Sequence, residues 1–124
     1  MFQKWLFVVL APQAVLLHSI QFGVMHNTAV PIFEAEVYSN RSGDVDVVFK
    51  QKGDFIFYIN LILIMDESQV EWNGGASIVN GGIGCNFTTL RLLNIQPKVS
   101  RVSVLIYGIP RFPVVSIIRQ VAAY

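Results

Sequence analysis

Residues 73–108 read N-G-G-A-S-I-V-N-G-G-I-G-C-N-F-T-T-L-R-L-L-N-I-Q-P-K-V-S-R-V-S-V-L-I-Y-G. The glycine pairs Gly74-Gly75 and Gly81-Gly82 bracket the short apolar run Ala76-Ser77-Ile78-Val79, and Gly84 follows. Glycine takes positive φ at no steric cost, so glycine this dense points to specified turns between strands. Two β-patterned runs come next. Phe87-Thr88-Thr89-Leu90-Arg91-Leu92 alternates in part, and Arg101-Val102-Ser103-Val104-Leu105-Ile106-Tyr107 alternates and then turns apolar before Gly108. Between them, Asn94 and Pro97 mark a turn.

Upstream, the same pattern continues. Phe33-Glu34-Ala35-Glu36-Val37-Tyr38 alternates as a strand with one wet face. Ser39–Asp44 is a turn cluster, and Val45-Asp46-Val47-Val48-Phe49 is a second strand, placed to pair with the first as a hairpin. Phe55 to Met65, F-I-F-Y-I-N-L-I-L-I-M, is rich in β-branched and aromatic residues and has turn signals at both ends, which predicts a central strand covered on both faces. Residues 21–30 read as a loosely ordered lead-in. The tail from Ile109 carries Pro110 and Pro113 and fits either an edge strand or a short helix over Val114–Ala123. Strands spaced by about ten residues predict an all-β fold, a small antiparallel sandwich or barrel of six to seven short strands.

Composition agrees with one packed domain. The 124 residues are 53% hydrophobic and 14% charged, too apolar for a disordered chain. Part of that excess lies at the start. Met1-Phe2-Gln3-Lys4-Trp5 is followed by an apolar run to Leu17, broken only by Pro12 and Gln13. This is the layout of a secretory signal, shorter than the roughly 20 apolar residues that span a bilayer. Residues 1–19 are therefore expected to be a signal peptide, cut between 19 and 23, with 24–124 as a single β-rich domain and no stable membrane insertion afterwards. An uncleaved anchor or a buried N-terminal strand is the competing account. In a secreted chain the sequons Asn40-Arg41-Ser42 and Asn86-Phe87-Thr88 make Asn40 and Asn86 glycosylation candidates.

The formal net charge is +1 and the basic residues are scattered, which argues against direct nucleic-acid binding. Cys85 is the only cysteine, so an intrachain disulfide is impossible; it is read as a small buried hydrophobe or as a link between chains. The glycine block lacks the endings that hold phosphates or dinucleotides. His18 and His26 stand without metal-site or general-base partners. Asp66, Glu67 and Glu71 form an acidic cluster that reads as a solvated loop before it reads as a cation site. No nucleophile elbow and no cysteine-histidine pairing are present, so no catalytic residue, cofactor or metal is expected. Trp72, beside the Asn73-Gly74-Gly75 turn, is either a contact anchor or a core plug that pins the turn.

Taken together, Asp66, Asn73-Gly74-Gly75, Ala76-Ser77-Ile78-Val79, Gly81-Gly82-Ile83-Gly84, Thr89-Leu90-Arg91-Leu92 and Ile106-Tyr107-Gly108 resemble the insect multiprotein bridging factor two (transcription activator) family. The resemblance runs from about Phe55 to Gly108. It departs where Gly75 meets Ala76 directly and in the turn Asn94-Ile95-Gln96-Pro97-Lys98, as a divergent member would. It implies a small β-rich insect protein, commonly made with a signal peptide, and brings no catalytic or ligand residues. Two functions follow as expectations. One is a secreted, non-catalytic protein that binds a protein partner or an apolar ligand. The other, from the family name alone, is a nuclear co-activator bridging a DNA-bound factor to the basal transcription machinery.

Overall fold

The computed structural model describes residues 19–53 and 56–110. The expected signal segment, Phe55 and the Val114–Ala123 strand-or-helix question lie outside them. Among the described residues seven strands form: β1 (Ile20–Gly23), β2 (Val30–Val37), β3 (Gly43–Lys50), β4 (Phe57–Asp66), β5 (Ala76–Gly81), β6 (Phe87–Ile95) and β7 (Val102–Pro110). They form a four-stranded sheet in the order β1-β4-β7-β2 and a three-stranded sheet in the order β3-β6-β5. Every pairing is antiparallel. The all-β antiparallel architecture expected from the strand spacing is therefore present, as a sandwich.

The core lies between the sheets. Side chains alternate faces along a strand, and the inward set is aliphatic. Ile62 and Ile64 on β4, Val102, Val104 and Ile106 on β7, and Leu90, Leu92 and Ile95 on β6 have no exposed surface. β4 and β7 lie side by side at the centre of the larger sheet, in register from Phe57↔Pro110 to Asp66↔Val102. β6 occupies the same central place in the smaller one.

Four expectations need correction. The lead-in contains a strand, because Ile20 and Phe22 pack against the core while β1 pairs with the outer edge of β4. β2 and β3 do not form a hairpin; they pair with β7 and β6 and so belong to opposite sheets. Both strands carry an apolar face, and burying those faces against each other outweighs side-by-side pairing. The rings of Phe33 on β2 and Phe49 on β3 meet across the sandwich with centroids 5.1 Å apart. Gly108 does not end β7, which continues through Ile109 and Pro110 opposite Tyr58 and Phe57. β6 likewise runs past Leu92 to Ile95, with Asn94 at φ 61°, a left-handed conformation that asparagine tolerates.

The glycine block makes the one hairpin between consecutive strands in these sheets, β5 to β6. Gly81, Gly82 and Gly84 have φ of 64°, 110° and 88°. The turn does more than reverse the chain. Gly84 N–H donates to the Ile59 carbonyl at 2.8 Å, and Ile59 N–H donates to the Cys85 carbonyl at 2.9 Å. The hairpin of the small sheet is thus stitched to the large sheet at the β4 bulge, where the ladder skips Asn60. Gln51 reinforces the start of β4. Its amide donates to the Phe57 carbonyl at 2.7 Å and accepts from Phe57 N–H at 2.9 Å, replacing a neighbouring strand's backbone.

The two glycines should respond differently to alanine. A Cβ on Gly81 would meet both the carbonyl and the ring of Phe87, whereas one on Gly84 would enter open space. Gly84→Ala is expected to cost only the backbone term, about 1–2 kcal/mol. Gly81→Ala should cost clearly more, and equal midpoints in chemical denaturation would refute the difference.

On the outer face of the small sheet, Arg91 clasps Asp46 through two hydrogen bonds of 2.9 and 3.1 Å. That bond holds the Asp46 carboxyl below its ordinary 3.8, with desolvation opposing it and the charge of Arg91 adding to it. A depressed carboxylate stabilises the fold above its unfolded pKa, and the contribution disappears as pH falls through the folded value. Asp46→Asn should therefore lower the unfolding midpoint slightly at neutral pH, since the pair is exposed. The gap between variant and parent should close in acid, below the Asp46 range. A gap that persists there would show that the charge is not its source.

Candidate functional site

The sequence places its candidate contact residues at Trp72 and the Asn73-Gly74-Gly75 turn, within the connection from β4 to β5. This connection is organised by Asp66, the last residue of β4 and itself buried. One carboxylate oxygen accepts from Ser68 N–H at 2.9 Å, and the other accepts from Trp72 N–H at 3.0 Å. The carboxylate satisfies two loop donors, one of them, Trp72 N–H, buried away from water. Glu67 closes the same corner against β7. Its N–H donates to the Arg101 carbonyl at 2.7 Å, and its carboxylate accepts from the Ser103 hydroxyl at 2.6 Å.

Trp72 lies inside, at 8% exposure, as part of the inter-sheet core. Its indole N–H donates to the Leu93 carbonyl at 2.9 Å, joining the loop to β6. The flat ring also explains Gly74, whose φ is not positive. A Cβ there would collide with the Trp72 ring and the Leu93 carbonyl. Gly75 accepts from Leu93 N–H at 2.8 Å. Gly108 is a third kind of case, since its Cβ would come within 2.8 Å of Ile32 and 2.9 Å of Phe57. The neighbouring Tyr107 is paired with Leu61 and Pro31.

A tethered loop presents what lies on its surface with little freedom to move. Here that surface is apolar. Val70 is 61% exposed and Val99 43% exposed, and Leu93 is exposed beside them. With Glu71, Asn73, Asn94 and Gln96, Val70 and Val99 border an open groove of about 250 Å³ that Trp72 also lines. Its polar rim is itself ordered. Asn94 donates to the Asn73 carbonyl at 3.2 Å and accepts from the Gln96 amide at 2.7 Å. Val70, Leu93 and Val99 do not stand out in the sequence, because a lone valine in a turn carries no mark of whether it ends up inside or outside.

The remaining candidates are dispersed. Asn40 sits at the exposed turn between β2 and β3, and Asn86 is exposed at the start of β6. Asn86 lines a wider groove of about 420 Å³ with Val48, Lys50, Asn80 and Phe87. Cys85 is half-buried and free. His26 is engaged locally with Thr28, 2.9 Å from its hydroxyl. Among the described residues, no group of three or more histidine, cysteine or acidic side chains is arranged to hold a metal ion. The Asp66 and Glu67 carboxylates are committed to the loop contacts described above.

Comparison with protein-family models, with curated proteins and with solved structures finds no match to this chain.

The network assigns a graded cost to its members. Asp66→Ala strips the partner from the buried Trp72 N–H, which costs about 1–3 kcal/mol for a group left unsatisfied, and from the part-buried Ser68 N–H, which costs less because water can reach it. Trp72→Phe keeps most of the packing and removes one hydrogen bond, about 0.5–1.5 kcal/mol. Urea unfolding should rank Asp66→Ala as the more damaging. The reverse order would mean that the indole N–H, and not the carboxylate, organises the corner.

Proposed function

We propose that this chain is a secreted, non-catalytic domain that binds a protein partner through the corner formed by residues 67–75 and 93–100. The observation that carries the reading is the exposure of Val70 and Val99 on a loop held by Asp66, Glu67 and Trp72. Apolar side chains kept in water on a tethered loop, beside an aromatic lining and within a polar rim, have the make-up of a contact surface. The signal-like start of the sequence and the exposure of Asn40 and Asn86 fit a secretory route. β1 adds a constraint on processing. A cut near Ser19 leaves Ile20–Gly23 in the sheet, whereas a cut at 23 removes the whole strand. The productive site is therefore at the beginning of the expected window.

The test is expression in insect cells, with blotting of medium and lysate and N-terminal sequencing. The expected product is found in the medium, begins at Ser19 or Ile20, and loses mass on glycosidase treatment. Asn40→Gln and Asn86→Gln should each remove one glycan. An intact, unglycosylated product in the nucleus would overturn the proposal and favour the co-activator role implied by the family resemblance. Contact at the corner is checked separately, with a photo-crosslinking residue at position 70 and a control at Ser77, an exposed position on β5. Equal yields at both positions would remove the corner from the proposal.

A further inference from the structure

Three connections meet at the end of the sandwich where β4 begins. β1 leaves its sheet at Gly23, opposite Leu61, and the β1–β2 connection opens at Val24. The β3–β4 connection starts after Lys50, opposite Phe87, and the β5–β6 turn carries Ile83. Hydrogen bonds fasten all three to β4 or to each other. Val24 N–H donates to the Asn60 carbonyl at 3.1 Å, and the Asn60 amide donates to the Val24 carbonyl at 2.8 Å. The Gln51 amide donates to the Asn86 carbonyl at 3.0 Å, and Gly84 N–H to the Ile59 carbonyl at 2.8 Å. Gly23 leaves room for Ile83, because a Cβ there would come within 2.8 Å of its side chain. The tip is ordered, yet its large apolar side chains are kept in water. Val24 is 70% exposed, Met25 53% and Ile83 44%, and Val30 is exposed at the start of β2.

We propose that this end of the sandwich docks on an anionic lipid surface, with Val24, Met25 and Ile83 entering the layer and Lys50 and Lys52 among the headgroups. Charge selects the occupant. Lys50 and Lys52 are exposed on the connection that Gln51 fastens to the β5–β6 turn. Among the described residues no acidic side chain belongs to the segments that form this end, 24–30, 50–53, 82–87 and 107–110. Glu34, Glu36, Asp44 and Asp46 lie farther along β2 and β3, and Asp66, Glu67 and Glu71 lie at or beyond the other end of β4. Asp54 and Arg111, which flank these segments in sequence, carry one charge of each sign and lie outside the described residues. A lipid surface admits exposed apolar side chains to the depth of its headgroup boundary, and lysine stems follow them while the ammonium groups stay at the phosphates. Anionic lipid attracts basic groups held close to it, and salt screens that attraction. The docking is peripheral and leaves the Trp72 corner at the far end, turned away from the lipid. It does not depend on what that corner binds.

Vesicle co-sedimentation of the chain purified from insect cells tests it. Asn86→Gln is used throughout, so that no glycan stands beside the tip. The expected result is binding to phosphatidylcholine vesicles containing about one-quarter phosphatidylserine, several-fold above binding to pure phosphatidylcholine and weaker as salt rises. Val24→Asp with Met25→Asp should reduce that binding several-fold. Lys50→Glu with Lys52→Glu should do the same, each pair with the cooperative unfolding transition kept. Val70→Asp with Val99→Asp, at the opposite end, should leave binding unchanged. Depth is read with a polarity-sensitive dye on Met25→Cys in a Cys85→Ser background. Its emission should move to the blue on anionic vesicles, and the same dye on Val70→Cys should not respond. A parent chain that ignores anionic vesicles would overturn the proposal and leave the tip to a protein partner. Binding undiminished by the Val24 and Met25 substitutions would overturn it by assigning adhesion to another part of the chain. Equal dye responses at positions 25 and 70 would overturn it too.

Discussion

The pairing of β4 with β7 is the constraint on which the other elements depend. It is a long antiparallel ladder at the centre of the larger sheet, and its inward side chains form one wall of the core. β1 and β2 complete that sheet by adding to its two sides. The small sheet is held against the wall by burial of Leu90, Leu92 and Ile95, and aliphatic burial contributes about 25 cal/mol per Å² removed from water. Burial alone does not fix how the two sheets are aligned. The Gly84–Ile59–Cys85 hydrogen bonds at one point and the Trp72–Leu93 bond at another tie the sheets together and define their alignment.

The glycine-rich block divides into two physical roles that share one residue type. Gly81, Gly82 and Gly84 are required by backbone conformation, since all three have positive φ in the turn that meets β4. Gly74 and Gly108 are required by space, one under the Trp72 ring and the other against Ile32 and Phe57. The Asp66–Trp72 corner uses the same economy. One carboxylate orients the loop that places the tryptophan, and the tryptophan fills the core and binds β6. The contact surface proposed above is the solvent side of that arrangement. Its rigidity derives from the hydrogen bonds that stabilise the fold.

Legibility from sequence followed the physics of each signal. The alternation in Phe33–Tyr38 and Val45–Phe49 marked two strands correctly, because period-two burial is local. It could not name their partners. The alternation is compatible with Phe33 and Phe49 side by side or across a sandwich, and the second arrangement is the one formed. β1 was missed because I-Q-F-G is too short to show a pattern and acquires its shape from pairing with β4. The Trp72 corner was found through its turn chemistry, but the exposure of Val70 and Val99 was not, since exposure is a property of what surrounds a residue.

By itself the sequence determined that the chain is all-β, where most of its strands and turns fall, and that the glycine block is a specified backbone feature. Those properties follow from side-chain alternation and from the steric freedom of glycine, and both act over a few residues. The tertiary structure decided which strands pair, which sheet each joins, and that Trp72 is inside while Val70 is outside. Those outcomes depend on contacts between residues distant in the chain. A short-range pattern is compatible with many such contact sets, and the burial of all apolar faces at once selects one.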